Sequence, residues 1–332
     1  MIEFAFNKEM AMGHQEAERG DALAVPACTL TLSDTDNDLK AVRYVLWLAG
    51  LCDRWGHWRV GVRHFCVVHT GDWLNKWNPD PEVVDFFRQL QTSAPDSCSV
   101  VMLVGNHEVE ILQRAALGGR TRLSREDLEF IRQQDVLHIA KNILYLHGYP
   151  TLNLLTLLAQ IQEEGGALAL FNHRFRKVFY EGRYALFRER EGLEMIGDIR
   201  HMKQYYMRKD AGGERYGVQA GRLLRRLGID TIIHGHRPNA LIQLDHELSH
   251  EVPGVRIINN DNKASMAGFG AVVVDGKGYV RFINPKAMQV LGGEHSFRKK
   301  ICRVLGTGKR GRGSRLPEGH EAVLSSLSRA EC

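Results

Sequence analysis

"SVVMLVGNHEVEILQRAAL", residues 99–117, changes character in the middle. Its first half is a β-branched apolar run that reads as a buried strand, and its second half spaces apolar residues as a helix does. Gly105 makes the corner, and Asn106, His107 and Glu108 follow it directly. Polar side chains at the carboxyl end of a buried strand stand where open α/β sheets place their ligands.

Working outward, the same signature recurs. "CTLTLS" ends in Asp34 and Asp36, and "HFCVVHT" ends in "GDWLNK" with Asp72. "ILYLHGYP" brings His147, while "TIIHGHRPN" brings His234 and His236. Taken singly, each has a plain explanation: Gly-Asp is a common turn pair, Asn106 could cap a helix, and the helix dipole favours Glu108. Their joint order along the chain points instead to a metal site. A calcium loop of the EF-hand type starting at Asp34 is excluded, because it needs Gly at its sixth position and Glu at its twelfth, and Leu39 and Val45 stand there. Asp38 reads as an ordinary first-turn carboxylate of the helix that follows.

The 332 residues are 44% hydrophobic and 25% charged, which fits a globular protein of one large or two small domains. No apolar run approaches a membrane span, and the amino terminus has no secretory pattern, so a cytoplasmic location is expected. The six cysteines form no CxxC pair and suggest neither a disulfide framework nor a zinc knuckle. The net charge of +5 is concentrated in "FRKKICRVLGTGKRGRGSR". Without interleaved aromatics that stretch is a weak nucleic-acid signal and reads as a solvated basic tail.

Strand and helix alternate from Cys28 to about Leu117 and imply a parallel sheet core with helices on its faces. Residues 152–200 are helical in period and read as an insertion over one sheet edge. Later short strands suit an antiparallel second sheet. The expected organisation is a flexible leader over 1–25, one domain over 26–286 and a flexible tail over 287–332.

"SDTDNDLKAV", "GDWLNK", "GNHE", "LHGYP", "YYMRKD" and "LLRRLGIDTIIHGHRP" together resemble the calcineurin-like metallophosphoesterases. Within them, the chain is most similar to the branch of Ser/Thr protein phosphatases and bacterial diadenosine tetraphosphatases. The resemblance spans Cys28 to Asn284 and implies an α/β fold, a four-layer α-β-β-α sandwich of two mixed β-sheets flanked by helices. It also implies a phosphatase with two divalent ions, Mn²⁺ first and Fe, Zn or Mg as alternatives. Asp72 would bridge the ions, Asp34 and Asp36 would complete one set of ligands, and Asn106, His147 and His236 the other. His107 would protonate the leaving oxygen, with Arg208, Lys76 and Arg237 neutralising the phosphoryl group.

Two positions depart from the family pattern. Asp36 stands where Asp-x-His is usual, which keeps a ligand but adds a harder, charged donor and should favour Mn²⁺ or Mg²⁺. Asn75-Lys76 stands where Asp-Arg is usual, so the side chain expected to orient His107 lacks its charge, and a point charge replaces a planar guanidinium. The substrate implied is a phosphorylated small molecule or protein. Dinucleoside polyphosphate hydrolysis, and a degenerate member serving as a binding module, remain alternatives. Trp73 and Trp77 are candidates for the pocket mouth, and His234 for an additional imidazole near the site. Oligomeric state is open.

Overall fold

The computed structural model describes residues 28–166, 168–181, 202–238, 243–244, 246–261, 271–275 and 280–283. The leader over 1–25, the tail over 287–332 and residues 182–200 of the helical insertion lie outside the described residues. No helix among the described residues is long and apolar enough to cross a membrane.

β1 (Cys28–Leu32), β2 (Phe65–His69) and β3 (Ser99–Met102) pair in parallel. They are joined through α1 (Leu39–Leu48) and α2 (Pro81–Thr92). Each helix begins at an aspartate whose side chain accepts a backbone N–H, Asp38 from Ala41 and Asp80 from Glu82. β9 (Ala271–Val274) and β10 (Val280–Ile283) add antiparallel strands on the free side of β1, giving the order β10-β9-β1-β2-β3.

The second sheet runs in the order β4-β5-β6-β8-β7. Its centre is parallel: β5 (Ile143–Leu146), β6 (Thr231–His234) and β8 (Arg256–Asn259). Antiparallel strands close both edges, β4 (Leu137–Ala140) and β7 (Gln243–Leu244). The expectation of an antiparallel second sheet therefore fails in detail. A crossover through α9 (His246–Glu251) keeps β6 and β8 parallel, and the β9–β10 hairpin joins the first sheet instead.

Period-2 alternation explains the packing of the two sheets. Cys66 and Val68 of β2 meet Ile143 and Tyr145 of β5, Ile233 of β6, Ile258 of β8 and Val272 and Val274 of β9 in one inter-sheet core. The intervening residues Phe65, Val67, Leu144, Ile232, Ile257 and Val273 face outward and pack under the helices. β1, β2, β5, β6 and β9 are thus buried on both faces, which is why these segments read as apolar runs.

Helices form the outer layers: α3 (Asn106–Ala116) and α4 (Arg125–Arg132) beside α2, and α5 (Leu152–Glu163), α7 (Met202–Met207) and α8 (Tyr216–Arg226) on the other side. α6 (Leu168–Tyr180) sits against the edge strand β4, where the Asn172 side chain accepts from Val136 N and donates to Leu137 O.

Candidate metal centre

The carboxyl ends of β1, β2 and β3 in one sheet and of β5, β6 and β8 in the other converge. The loops continue the strand ladders beyond the strands. Asp34 N donates to Gly71 O at 3.1 Å and Asp36 N to Asp72 O at 3.1 Å, while Gly235 N donates to His147 O at 2.8 Å. Asp34, Asp36, Asp72 and His236 all adopt the left-handed region, with φ of 47, 46, 52 and 66°. Non-glycine residues hold that conformation at a cost of about 1–3 kcal/mol each, and only where the surroundings enforce it.

His147 Nε2 is the focus. Asn106 Oδ1 and His236 Nδ1 each lie 3.1 Å from it, and Asp72 Oδ1 lies 3.3 Å away. Its other nitrogen, Nδ1, donates to Thr70 O at 3.0 Å, which fixes the ring and turns Nε2 inward. Among the described residues, Asp72, His147 and His236 present donor atoms within 4.8 Å of one another. Asp34 lies alongside, both its oxygens accepting from His236 N at 3.2 and 3.0 Å, and Ser33 Oγ donates to it as well.

The residues fit a divalent ion on three counts. The donors mix carboxylate, amide oxygen and imidazole, a set that suits Mn, Fe or Zn better than Ca. Asp36 pairs with His107 Nδ1 through Oδ1, which leaves its second oxygen for an ion. The glycines leave room for nothing else: a Cβ on Gly105 would fall on Asp72 and the His147 ring, one on Gly71 on the His147 ring, and one on Gly235 on the Asp34 carboxylate.

The remaining candidates are placed as follows. His107 N donates to Asp72 Oδ1 at 2.9 Å, its Nε2 lies 3.4 Å from Asp72 Oδ2, and its Nδ1 lies 3.0 Å from both Leu74 O and Asp36 Oδ1. Lys76 Nζ is paired with Glu110 Oε1 at 3.1 Å. Asn75 is not brought to His107: its Oδ1 accepts from Trp77 N and Asn78 N and closes a turn. Arg208 is exposed, with its guanidinium 6.0 Å from the Tyr205 ring centroid. Arg237 donates to Tyr149 Oη at 3.3 Å, and buried His234 packs on the same Tyr149 ring at 4.2 Å. Trp73 is buried against Phe87 and Phe130, so only Trp77, 74% exposed, reaches the surface.

Two features escaped the sequence reading. Glu108 is no mere dipole partner. It is fully buried and accepts from Asp72 N at 2.9 Å, Gly105 N at 2.8 Å and Leu74 N at 2.9 Å, stitching the loop after β2 to the start of α3. β8 ends in buried Asn260 and Asp261, and Asn260 has neither side-chain atom hydrogen-bonded. "VRIINND" carries the same signal as the other strand ends, an apolar run stopping at polar residues.

Electrostatics mark the same place. Burial, then the charges of Asp261 and Asp72, push the Asp34 carboxyl well above its ordinary range. Burial and the Asp72 charge push Glu108 up to about 7. Burial also works against the Asp72 charge, yet the His147 and His107 rings hold that carboxyl below its ordinary range. For His147 burial favours the neutral ring, but Asp72 and Asp34 outweigh it and raise the value to about 10. His107 likewise rises to about 9 against burial, through Asp36, Asp72 and Glu108.

The sign of the pH dependence follows. Glu108, at 4.5 when unfolded and about 7 when folded, contributes stability that is lost as pH rises through 7. His147 and His107, ordinarily at 6.5, contribute stability that is full below 6.5 and lost as pH rises through about 9 to 10. Buried His69 and His138, held down to about 3 and 4 by burial, oppose this only below pH 6.5, so metal-free protein should melt at progressively lower temperature from pH 7 to pH 9. Divalent ions, which displace the proton on His147, should oppose the trend and bind more tightly as pH rises. A metal-free melting curve that is flat or rising over that range would contradict this electrostatic account.

The calcineurin-like phosphoesterase family profile matches residues 57–239, more than half of the chain. The chain is a calcineurin-like phosphoesterase. As such it is a metal-dependent phosphoric ester hydrolase, and the family implies divalent metals. The match begins beyond the Asp34–Asp36 corner, where the sequence departs from the family pattern. The phosphoesterase fold is similar to the crystal structure of a cold-active protein-tyrosine phosphatase from a psychrophilic Shewanella species. That likeness has 16% identity and a TM-score of 0.55, covering 78% of this chain and 80% of the other. A further structure of a cold-active protein tyrosine phosphatase matches at 16% identity and a TM-score of 0.51, covering 77% and 78%. At such identity the likeness concerns the fold alone. The sequence matches no curated protein at a significant level.

Proposed function

We propose that this phosphoesterase hydrolyses phosphomonoesters with a pair of divalent ions, Mn²⁺ first among them. Asp72, Asn106, His147 and His236 would hold one ion, and Asp34, Asp36 and Asp72 the other. The observation that carries the reading is the convergence on His147 Nε2 of Asn106, His236 and Asp72 within 3.1–3.3 Å. The carboxylates Asp34, Asp36 and Asp72 would repel a phosphate dianion unless cations offset them. Bound ions supply that charge, Lewis acidity and an activated water.

The protein's own groups orient and donate. His107 faces Asp72 through Nε2, and Asp36, Asp72 and Glu108 favour its charged form, so it could give a proton to the leaving oxygen. Lys76, Arg208 and Arg237 are the cations assigned to the phosphoryl oxygens, and residues 26–286 the catalytic unit.

The test is turnover of p-nitrophenyl phosphate by metal-stripped protein after addition of Mn²⁺, Mg²⁺, Zn²⁺ or Fe²⁺, with elemental analysis of the reloaded protein. Activity restored by Mn²⁺ with about two ions per chain is expected. No turnover with any of the four ions would overturn the reading.

A further inference from the structure

The Asp36 carboxylate faces His107. Its Oδ1 lies 3.0 Å from His107 Nδ1, is buried and makes no hydrogen bond of its own, although the side chain as a whole is 35% exposed. The Nδ1–H is aimed at Leu74 O, also at 3.0 Å, so the Asp36 contact is an ionic one beside that hydrogen bond. Among the described residues two carboxylates reach this ring, Asp36 at Nδ1 and Asp72 at Nε2.

We propose that Asp36 is the positioning residue of His107: with Leu74 O it clamps Nδ1 and so presents Nε2 to the leaving oxygen. The inference rests on the phosphomonoesterase reading for its chemistry, and on the contact geometry for its residues.

The backbone makes the clamp rigid. Asp36 N is tied to Asp72 O, and Asn37 N to Trp73 O at 3.2 Å. The Asn37 side chain accepts from Asn75 N at 3.0 Å and donates to Asn78 O at 2.8 Å. The corner that delivers Asp36 is thus bonded to the same loop that supplies Leu74 O, and both acceptors move as one body. Asn75 is unavailable for the task, its side-chain oxygen being spent on Trp77 N and Asn78 N.

In the step served, a water oxygen forms the new P–O bond while its proton passes to solvent. The ester P–O bond breaks with its electron pair on the leaving oxygen. That oxygen takes the proton from His107 Nε2, leaving the ring neutral. A misaimed ring harms esters of poor leaving groups, which need the proton, far more than p-nitrophenyl phosphate, which does not. Asp36 has a second oxygen, so holding a metal ion and clamping His107 are compatible roles.

The experiment compares kcat and KM for p-nitrophenyl phosphate and glycerol 2-phosphate in the wild type, Asp36→Asn, His107→Ala and the double variant, all metal-loaded. Asp36→Asn should lower kcat for the alkyl ester about 10- to 100-fold more than for the aryl ester, with KM within about 2-fold. In the His107→Ala background it should cost nothing further at the alkyl ester. The ratio between two substrates on one sample is independent of the folded or loaded fraction. Equal losses on both esters, or losses that multiply in the double variant, would overturn the proposal.

An independent readout is the ¹⁵N imidazole spectrum, with the His107 signals assigned by their loss in His107→Ala. The Nδ1 resonance should move in Asp36→Asn, and an unmoved resonance overturns the pairing. A wild type that turns over neither ester while the resonance moves would instead overturn the phosphomonoesterase reading and leave the clamp standing.

Discussion

Asp72→Asn should reduce turnover of p-nitrophenyl phosphate by on the order of 10³-fold or more, the loss expected when several kcal/mol of metal-borne transition-state stabilisation disappear. Asp72 Oδ1 contacts His147 Nε2 and accepts from His107 N, while Oδ2 faces His107 Nε2. One carboxylate therefore touches the imidazole of the donor cluster and the candidate acid at once. An amide has nearly the same shape, so the variant should fold, but it removes the charge and turns an N–H₂ toward one of these partners. Metal binding supplies a readout free of catalysis. Ligand at 100 times its dissociation constant stabilises the wild type by about 2.7 kcal/mol. The variant should show little or none of that gain in a melt with Mn²⁺. A variant whose melting point still rises with Mn²⁺ as the wild type's does would remove Asp72 from the ligand set.

Much of this centre is legible in the sequence because a buried strand is an apolar run with an abrupt end. Asp34, Asp72, Asn106, His147 and His236 each follow such a run directly, and parallel strands place those ends on one side of a sheet. What stays hidden depends on side-chain partners far apart in sequence. Nothing local distinguishes an Asn75 that would orient His107 from one that closes its own turn, yet the structure has the second. Glu108 looks like any acid in a helix's first turn until its partners across the loop, Asp72 N and Leu74 N, are seen.

Topology shows the same limit. The β9–β10 hairpin carries the same β-branched alternation whichever sheet it joins, and the free edge of β1 decides the matter. α4 and β4 are short segments whose place is fixed by contact with α2 and β5 more than by their own pattern.

Glu108→Ala should be the most destabilising single substitution near the centre. The change strands three backbone donors, Asp72 N, Leu74 N and Gly105 N, in a place without solvent. An unmade buried hydrogen bond costs about 1–3 kcal/mol, so the total is on the order of 4 kcal/mol or more. That is a large fraction of the about 5–15 kcal/mol that holds a typical domain folded. Part of the loss is offset, because the carboxylate is itself costly to keep charged, its value having been pushed up to about 7 by burial and by Asp72.

Glu108→Gln separates the two contributions. It removes the buried charge, keeps one carbonyl for two of the amides and turns an N–H₂ against the third, for a cost of about 1–3 kcal/mol. Urea unfolding of metal-free protein at pH 7 should therefore rank wild type above Gln and Gln above Ala. Because the same carboxylate sets where Asp72 sits, both variants should also bind Mn²⁺ about 10- to 100-fold more weakly, the range seen when groups orienting a ligand are lost. An Ala variant within 1 kcal/mol of the wild type, with unchanged Mn²⁺ affinity, would mean that the loop after β2 holds its shape by its own turns and that Glu108 merely occupies the space beneath it.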